Sequence, residues 1–257
     1  MLQPEDWLAA DGLPPGVAGG MSTRRGGVSQ GPFAGLNLRP SGLPAAEQDD
    51  PAAIAENLRR WSGVCAPARP VWLDQVHGPA VVRVAAADVN GSEGPFLQAD
   101  ASVTTEPGVA CTVLVADCLP VLFASADGRA VGAAHAGWRG LAGGVLEACL
   151  AEVCRAAGCR PGQVSAWLGA CIGPQAFEVG EEVRVAFGPS AGAHFRPGIA
   201  PGKWWADLPA LARLRLSEAG VRQVSGGAWC THSDASRFFS FRRDRVTGRH
   251  AASIWIR

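Results

Sequence analysis

Residues 109–115, Val-Ala-Cys-Thr-Val-Leu-Val, form a nearly continuous apolar run. A strand with one wet face alternates apolar and polar residues. A strand without that alternation is covered on both faces. The run therefore predicts a sheet with packed layers on each side. Two further apolar stretches, 120–124 and 129–134, flank Asp127-Gly128. That dipeptide favours the positive φ angles of a tight hairpin turn. Residues 71–73, 80–84, 99–104, 164–168, 221–224 and 251–256 also read as strands.

Helical spacing appears between them. Ile54, Leu58 and Trp61 follow Asp50-Pro51, which predicts a helix that stops at Gly63. Leu141, Val145, Cys149, Val153 and Ala157 step by four residues, and Gly158 sits at the C-cap position. These residues predict one helix over 141–157, entered directly from Gly137-Trp138-Arg139-Gly140. Residues 181–187 and 208–219 read as further helices. The first fifty residues are rich in Gly and Pro and predict short strands and loops laid over the core. Strands and helices mix without strict alternation. The expected fold class is a mixed-sheet α/β (α+β) arrangement, one layered domain over 1–257.

Composition narrows the function. The chain has 257 residues, 23 basic and 23 acidic side chains, and no formal net charge. A dedicated nucleic-acid binder normally shows a basic excess or stripe. No apolar run reaches the roughly 20 residues that span a bilayer. Residues 1–10 carry Glu5 and Asp6 and no basic residue, unlike a secretory signal. The expectation is a cytoplasmic protein with no nucleic-acid or membrane partner. Its eight cysteines are expected to be reduced thiols or metal ligands.

Two of the five histidines, His77 and His135, end predicted strands beside glycine, and Cys118 follows the most apolar strand. A thiolate and two imidazoles suit zinc and leave a fourth position open. Their long spacings match no short zinc motif. Spacing alone leaves open that each histidine merely ends a strand while Cys118 fills the core. Arg139 lies at a helix start, where backbone N–H groups and a guanidinium can bind an anion. A solvent-exposed arginine in a tight turn explains it equally. Cys149, Cys154 and Cys159 are separated by steps that turn about 500° along a helix, so they do not share a face. They read as apolar filler. Cys230-Thr231-His232 is a weak ligand pair, and Trp204-Trp205 could edge a pocket. The 237–249 segment mixes basic and aromatic residues, as a nucleic-acid surface or a half-buried strand would.

Several longer motifs occur together in order: Asp74-Gln75-Val76-His77-Gly78, Ala116-Asp117-Cys118-Leu119-Pro120, and His135-Ala136-Gly137-Trp138-Arg139-Gly140. They are followed by 168–174, Phe239-Ser240-Phe241-Arg242-Arg243 and Thr247-Gly248-Arg249, and preceded by 22–29 and Leu36-Asn37-Leu38. In these the chain resembles the laccase-domain (YfiH-type) family, first called multicopper polyphenol oxidases and later purine nucleoside phosphorylases. The resemblance implies a single layered domain like that of the cytotoxic-factor cysteine hydrolases. It implies zinc on His77, Cys118 and His135. It implies phosphorolysis of adenosine, inosine or methylthioadenosine to base and sugar phosphate, with adenosine deamination as a related activity. Arg24, Gln75 and Arg139 are the expected substrate and phosphate binders. Cys118, Asp117 and Arg139 are the expected catalytic residues, with Asp117 either an acid/base or a residue that orients a ligand or caps a turn. The rival enzyme classes are a Cu2+-dependent polyphenol oxidase and a Cys-His hydrolase. A zinc-stabilised binding module would show no catalysis. Phe241 stands where tyrosine is common in the family.

Overall fold

Two sheets stacked face to face, with helices outside each, organise the protein. A computed structural model describes residues 2–45 and 47–257. The first sheet has five strands in the order Trp7–Ala9, Val17–Ser22, His250–Ile256, Val109–Val115 and Arg69–Val71. The second has six, in the order Gln223–Gly226, Val164–Leu168, Leu119–Ser125, Val131–Ala136, Ala101–Thr104 and Val81–Arg83. Parallel and antiparallel pairs coexist in both. This is the expected mixed α/β class.

The strand Val109–Val115 shows why its sequence does not alternate. Val109, Cys111, Val113 and Val115 pack into the core between the sheets with Leu122, Val131 and Ile254. Ala110 and Leu114 face the other way, onto the helix Pro51–Cys65 through Leu58 and Trp61. Both faces are dry, so both carry apolar residues. A third core lies between the second sheet and the helices Val145–Ala157 and Leu208–Glu218, around Phe123, Leu146, Leu150 and Leu211. The layers therefore run helix, sheet, sheet, helices. The Asp127-Gly128 hairpin forms as expected, with Gly128 at φ 70°.

Several local expectations are corrected. The first long helix does not stop at Gly63 but runs to Cys65, because Pro67 rather than the glycine ends it. Asp50 caps its start by accepting from Ala52 N at 3.0 Å. The helix expected over 141–157 is two helices, Trp138–Ala142 and Val145–Ala157. Gly143 and Gly144 separate them, and Gly144 takes φ 90°, which no L-residue holds comfortably. Gly158 does cap the second helix in the left-handed conformation. The glycine-rich Val17–Ser22 is one of the expected short strands, but it lies fully buried inside the first sheet rather than over the core. Its glycines are needed there: a Cβ on Gly20 would sit 2.3 Å from Leu8 O and 2.6 Å from the Trp7 ring. A small sheet of Glu178–Gly180, Lys203–Ala206 and Phe195–Pro197 gives Trp204 and Trp205 their place, and Trp204 Nε1 donates to Glu181. Residues 237–249 form a turn and the short helix Phe241–Asp244 rather than a strand. No helix among the described residues is long and apolar enough to cross a membrane.

Candidate metal centre

The chain crosses from the first sheet to the second through Ala116, Asp117 and Cys118. Asp117 makes the turn at φ 90°, a strained angle for a residue with a Cβ. Its carboxylate holds the turn in place. One oxygen accepts from Thr231 Oγ1 at 2.6 Å, and the other from Ser240 Oγ at 3.0 Å and Arg242 N at 2.6 Å. Ile172 N donates to the Asp117 carbonyl at 2.9 Å. A second strained turn carries His77, at φ 64°. Here the buried Asp100 accepts from the backbone N–H groups of Val76, His77 and Gly78 at 3.1, 2.9 and 2.7 Å. The same carboxylate accepts from His135 Nδ1 at 2.8 Å. Asp100 therefore sets the backbone of one histidine and the ring of the other.

His77, Cys118 and His135 meet at the ends of these turns. Their ligand atoms all lie within 4.8 Å of one another, as in a group that could hold a metal ion. Cys118 Sγ is 4.0 Å from His77 Nε2, and the two imidazole rings are 4.7 Å apart at 80°. With Nδ1 of His135 committed to Asp100, its Nε2 is left for a ligand. A carboxylate behind a ligating histidine fixes its tautomer and raises its basicity. Two nitrogens and one sulfur fit zinc with a fourth position open, and the same set is known for copper.

The electrostatics of the three are coupled. Burial pushes the Cys118 thiol up, but His135 and then His77 outweigh it and bring it down to about 6. Burial would lower His135, yet the Cys118 thiolate and Asp100 raise it to about 9. Burial likewise opposes the ionised Asp100, and its bonds from His135 and the Gly78 and His77 amides hold its carboxyl below the usual value.

A cavity of about 280 Å3 opens over these side chains, lined also by Arg39, Asp74, Gln75, Phe241 and Arg249. Gln75 is in place, but both ends of its carboxamide are engaged by the backbone of Leu114: Nε2 donates to the carbonyl at 2.9 Å, and Oε1 accepts from the amide at 2.7 Å. Asp117 is a neighbour of the cavity without lining it, and three donors occupy its oxygens. All three contacts serve to hold the turn at Cys118. Arg139 is exposed, stacks on Trp138 at 4.4 Å and lies outside the cavity lining. Arg24 lies outside it as well, donating to the carbonyls of Ala34 and Ala235 beside the Phe239 ring.

Three residues here were not singled out from the sequence. Asp100 lies in a stretch read only as an alternating strand. Arg39 follows the Leu36-Asn37-Leu38 motif, and Arg249 ends the Thr247-Gly248-Arg249 motif, so a search for arginines beside those motifs would have found both. Other candidates fall elsewhere. Cys149 is buried in the helix-side core, and Cys154 and Cys159 pack against its rim. Cys230 Sγ accepts from Gly173 N at 3.2 Å and from Ser233, while Thr231 serves Asp117.

Comparison with known proteins agrees over almost the whole length. A purine nucleoside phosphorylase of Pseudomonas aeruginosa is 48% identical over 254 residues, covering 97% of this chain and 98% of that one. The purine nucleoside phosphorylase YfiH of Escherichia coli K12 is 45% identical, covering 95% of each. Among solved structures, YlmD of Geobacillus stearothermophilus superposes with a TM-score of 0.89 at 32% identity, covering 100% of this chain and 98% of that one. A Neisseria meningitidis protein gives a TM-score of 0.86 at 44% identity, covering 98% and 99%. Residues 18–257 match the family model described as multi-copper polyphenol oxidoreductase laccase, and the chain belongs to that YfiH-type family.

Proposed function

We propose that this protein is a zinc-dependent purine nucleoside phosphorylase. It cleaves adenosine or inosine with phosphate to give the free base and ribose 1-phosphate. The observation that carries this reading is the convergence of His77, Cys118 and His135 at one cavity, with His135 oriented by Asp100. The relatives named above as purine nucleoside phosphorylases support the same activity. Zinc bound there would supply a Lewis-acid position open to phosphate or water. The chain's own residues do the rest. Asp100 holds His77 and His135 in ligating position, and Asp117 holds Cys118 at its turn. The exposed ring of Phe241 gives a flat apolar face at the cavity for a purine to stack on. Methylthioadenosine offers the same base and sugar and belongs in the substrate range. Adenosine deamination would use water in place of phosphate at the same position.

The oxidase reading asks more of the protein. Four-electron reduction of oxygen calls on several coupled metals. Among the described residues, His77, Cys118 and His135 form the one group found that could hold an ion. A second centre would need further histidines, and His250 is buried with Nε2 accepting from Phe239 N at 2.8 Å. The decisive assay uses metal-defined protein. With zinc, adenosine and inosine should yield base and ribose 1-phosphate only when phosphate is present, and Cys118→Ala should abolish the reaction. Rapid phenol oxidation by protein carrying stoichiometric copper, with no phosphorolysis, would reverse the choice. A covalent adduct on Cys118 formed with substrate would move it to a Cys-His hydrolase.

A further inference from the structure

We propose that Arg39 and Arg249 form the subsite for inorganic phosphate in this cavity, with Asn37 as the residue that brings them together. The inference rests on the phosphorylase reading for its substrate and on the following geometry for its residues. Arg39 and Arg249 both line the metal cavity, and neither has an ion-pair partner within 4.0 Å among the described residues. The Nε of Arg39 is buried without any hydrogen-bond partner. Arg249 spends one nitrogen on the carbonyls of Thr247 and Gly248, at 3.1 and 3.2 Å, which aims the rest of its fork elsewhere. Burial lowers the pKa of both, and Arg39 lowers that of Arg249 further by like-charge repulsion.

Two mutually repelling guanidiniums in a partly buried pocket are costly unless an anion joins them. Asp74 on the same wall acts on Arg39, and Cys118 and Asp117 act on Arg249, but three donors already occupy the Asp117 carboxylate and Cys118 belongs to the candidate metal group, so neither arginine has a carboxylate partner of its own. The fold goes to some length to place them. Leu38 N donates to the Arg249 carbonyl at 3.0 Å. The buried Asn37 Oδ1 accepts from Arg249 N at 2.9 Å and from Arg39 N at 3.3 Å. Asn37 Nδ2 is anchored on Asp49 at 2.9 Å. One side-chain amide thus fixes both arginine backbones. Planar forks of this kind suit the oxygens of a phosphate dianion. Such an anion would lie beside Cys118, whose charge Arg249 also senses.

The test measures phosphate and nucleoside separately on the zinc-loaded protein. Arg39→Gln and Arg249→Gln should each raise the KM for phosphate about tenfold or more, the usual worth of a charge-assisted bond. The KM for inosine should move far less, and zinc content should stay at the wild-type value. Asn37→Ala should shift phosphate in the same sense. Calorimetric titration with phosphate alone, without nucleoside, should show the same weakening. If the wild type binds phosphate through these arginines yet turns over no purine nucleoside, the subsite stands and the phosphorylase reading falls. If the wild type turns over but neither arginine variant alters phosphate, the subsite is overturned alone. A phosphate effect that appears instead in Arg139→Ala or Arg24→Ala would also overturn it. So would tight binding of a nucleoside monophosphate at this pair with no binding of free phosphate.

Discussion

His250 is fully buried with its ring against Phe238 and Phe239. Burial first, then the charge of Arg24, pushes its pKa down to about 3. The unfolded imidazole titrates at the ordinary value of about 6.5. Between those limits the unfolded chain takes up a proton that the folded one refuses. Stability is therefore full above about 6.5 and falls as pH drops towards 3, by up to about 1.4 kcal/mol per pH unit from this residue. Urea unfolding at a series of pH values should show a shallower acid slope in His250→Asn, which keeps an acceptor but does not titrate. Asp100 makes a different prediction. In Asp100→Asn an amide NH2 group would face N–H donors. Metal affinity, read by chelator competition, should fall about 10- to 100-fold. At this scale His77, Cys118 and His135, a group that could hold a metal ion, stood out as histidine and cysteine at strand ends, but their long spacings did not join them and the family motifs did. The arginine pair was not legible, because a bond between Leu38 and Arg249 joins segments at opposite ends of the chain.

At the scale of elements, glycine explains most differences between pattern and fold. Gly63 and Gly144 both sit within helical periodicity and do opposite things. Gly63 is inside a helix, with open space where a Cβ would go. Gly63→Ala should stabilise by about 0.5–1 kcal/mol. Gly144 holds φ 90° between two helices. Gly144→Ala should destabilise by about 1–2 kcal/mol. Thermal unfolding of the two variants should show shifts of opposite sign. The apolar strands were legible because side-chain burial on both faces removes alternation. The buried place of Val17–Ser22 was not, because Gly20 serves close packing against Trp7 and Gly19 against Ile254 and Leu122, and glycines there leave no apolar run to read. The small sheet around Trp204 escaped for another reason: its strands are three or four residues long and too short for a period.

For the whole molecule, the two sheets share one buried interface, and Phe123 is fully buried on the opposite, helix-facing side of the second sheet. Phe123→Ala should cost about 3–5 kcal/mol, measured by urea unfolding, because rigid layers on both sides limit collapse into the gap. The order of strands in the first sheet has a consequence for synthesis. His250–Ile256 is its central strand, pairing with Val17–Ser22 on one side and Val109–Val115 on the other. A chain emerging from the ribosome therefore presents two strands with nothing between them until His250–Ile256 has left the exit tunnel. The first sheet stays open until residues 250–256 have been made and released from the tunnel, and its apolar edges are open to chaperones until then. Ribosome-stalled chains that expose residues only to 249 should remain protease-sensitive. Exposure of residues 250–256 as well should confer protection in a single step.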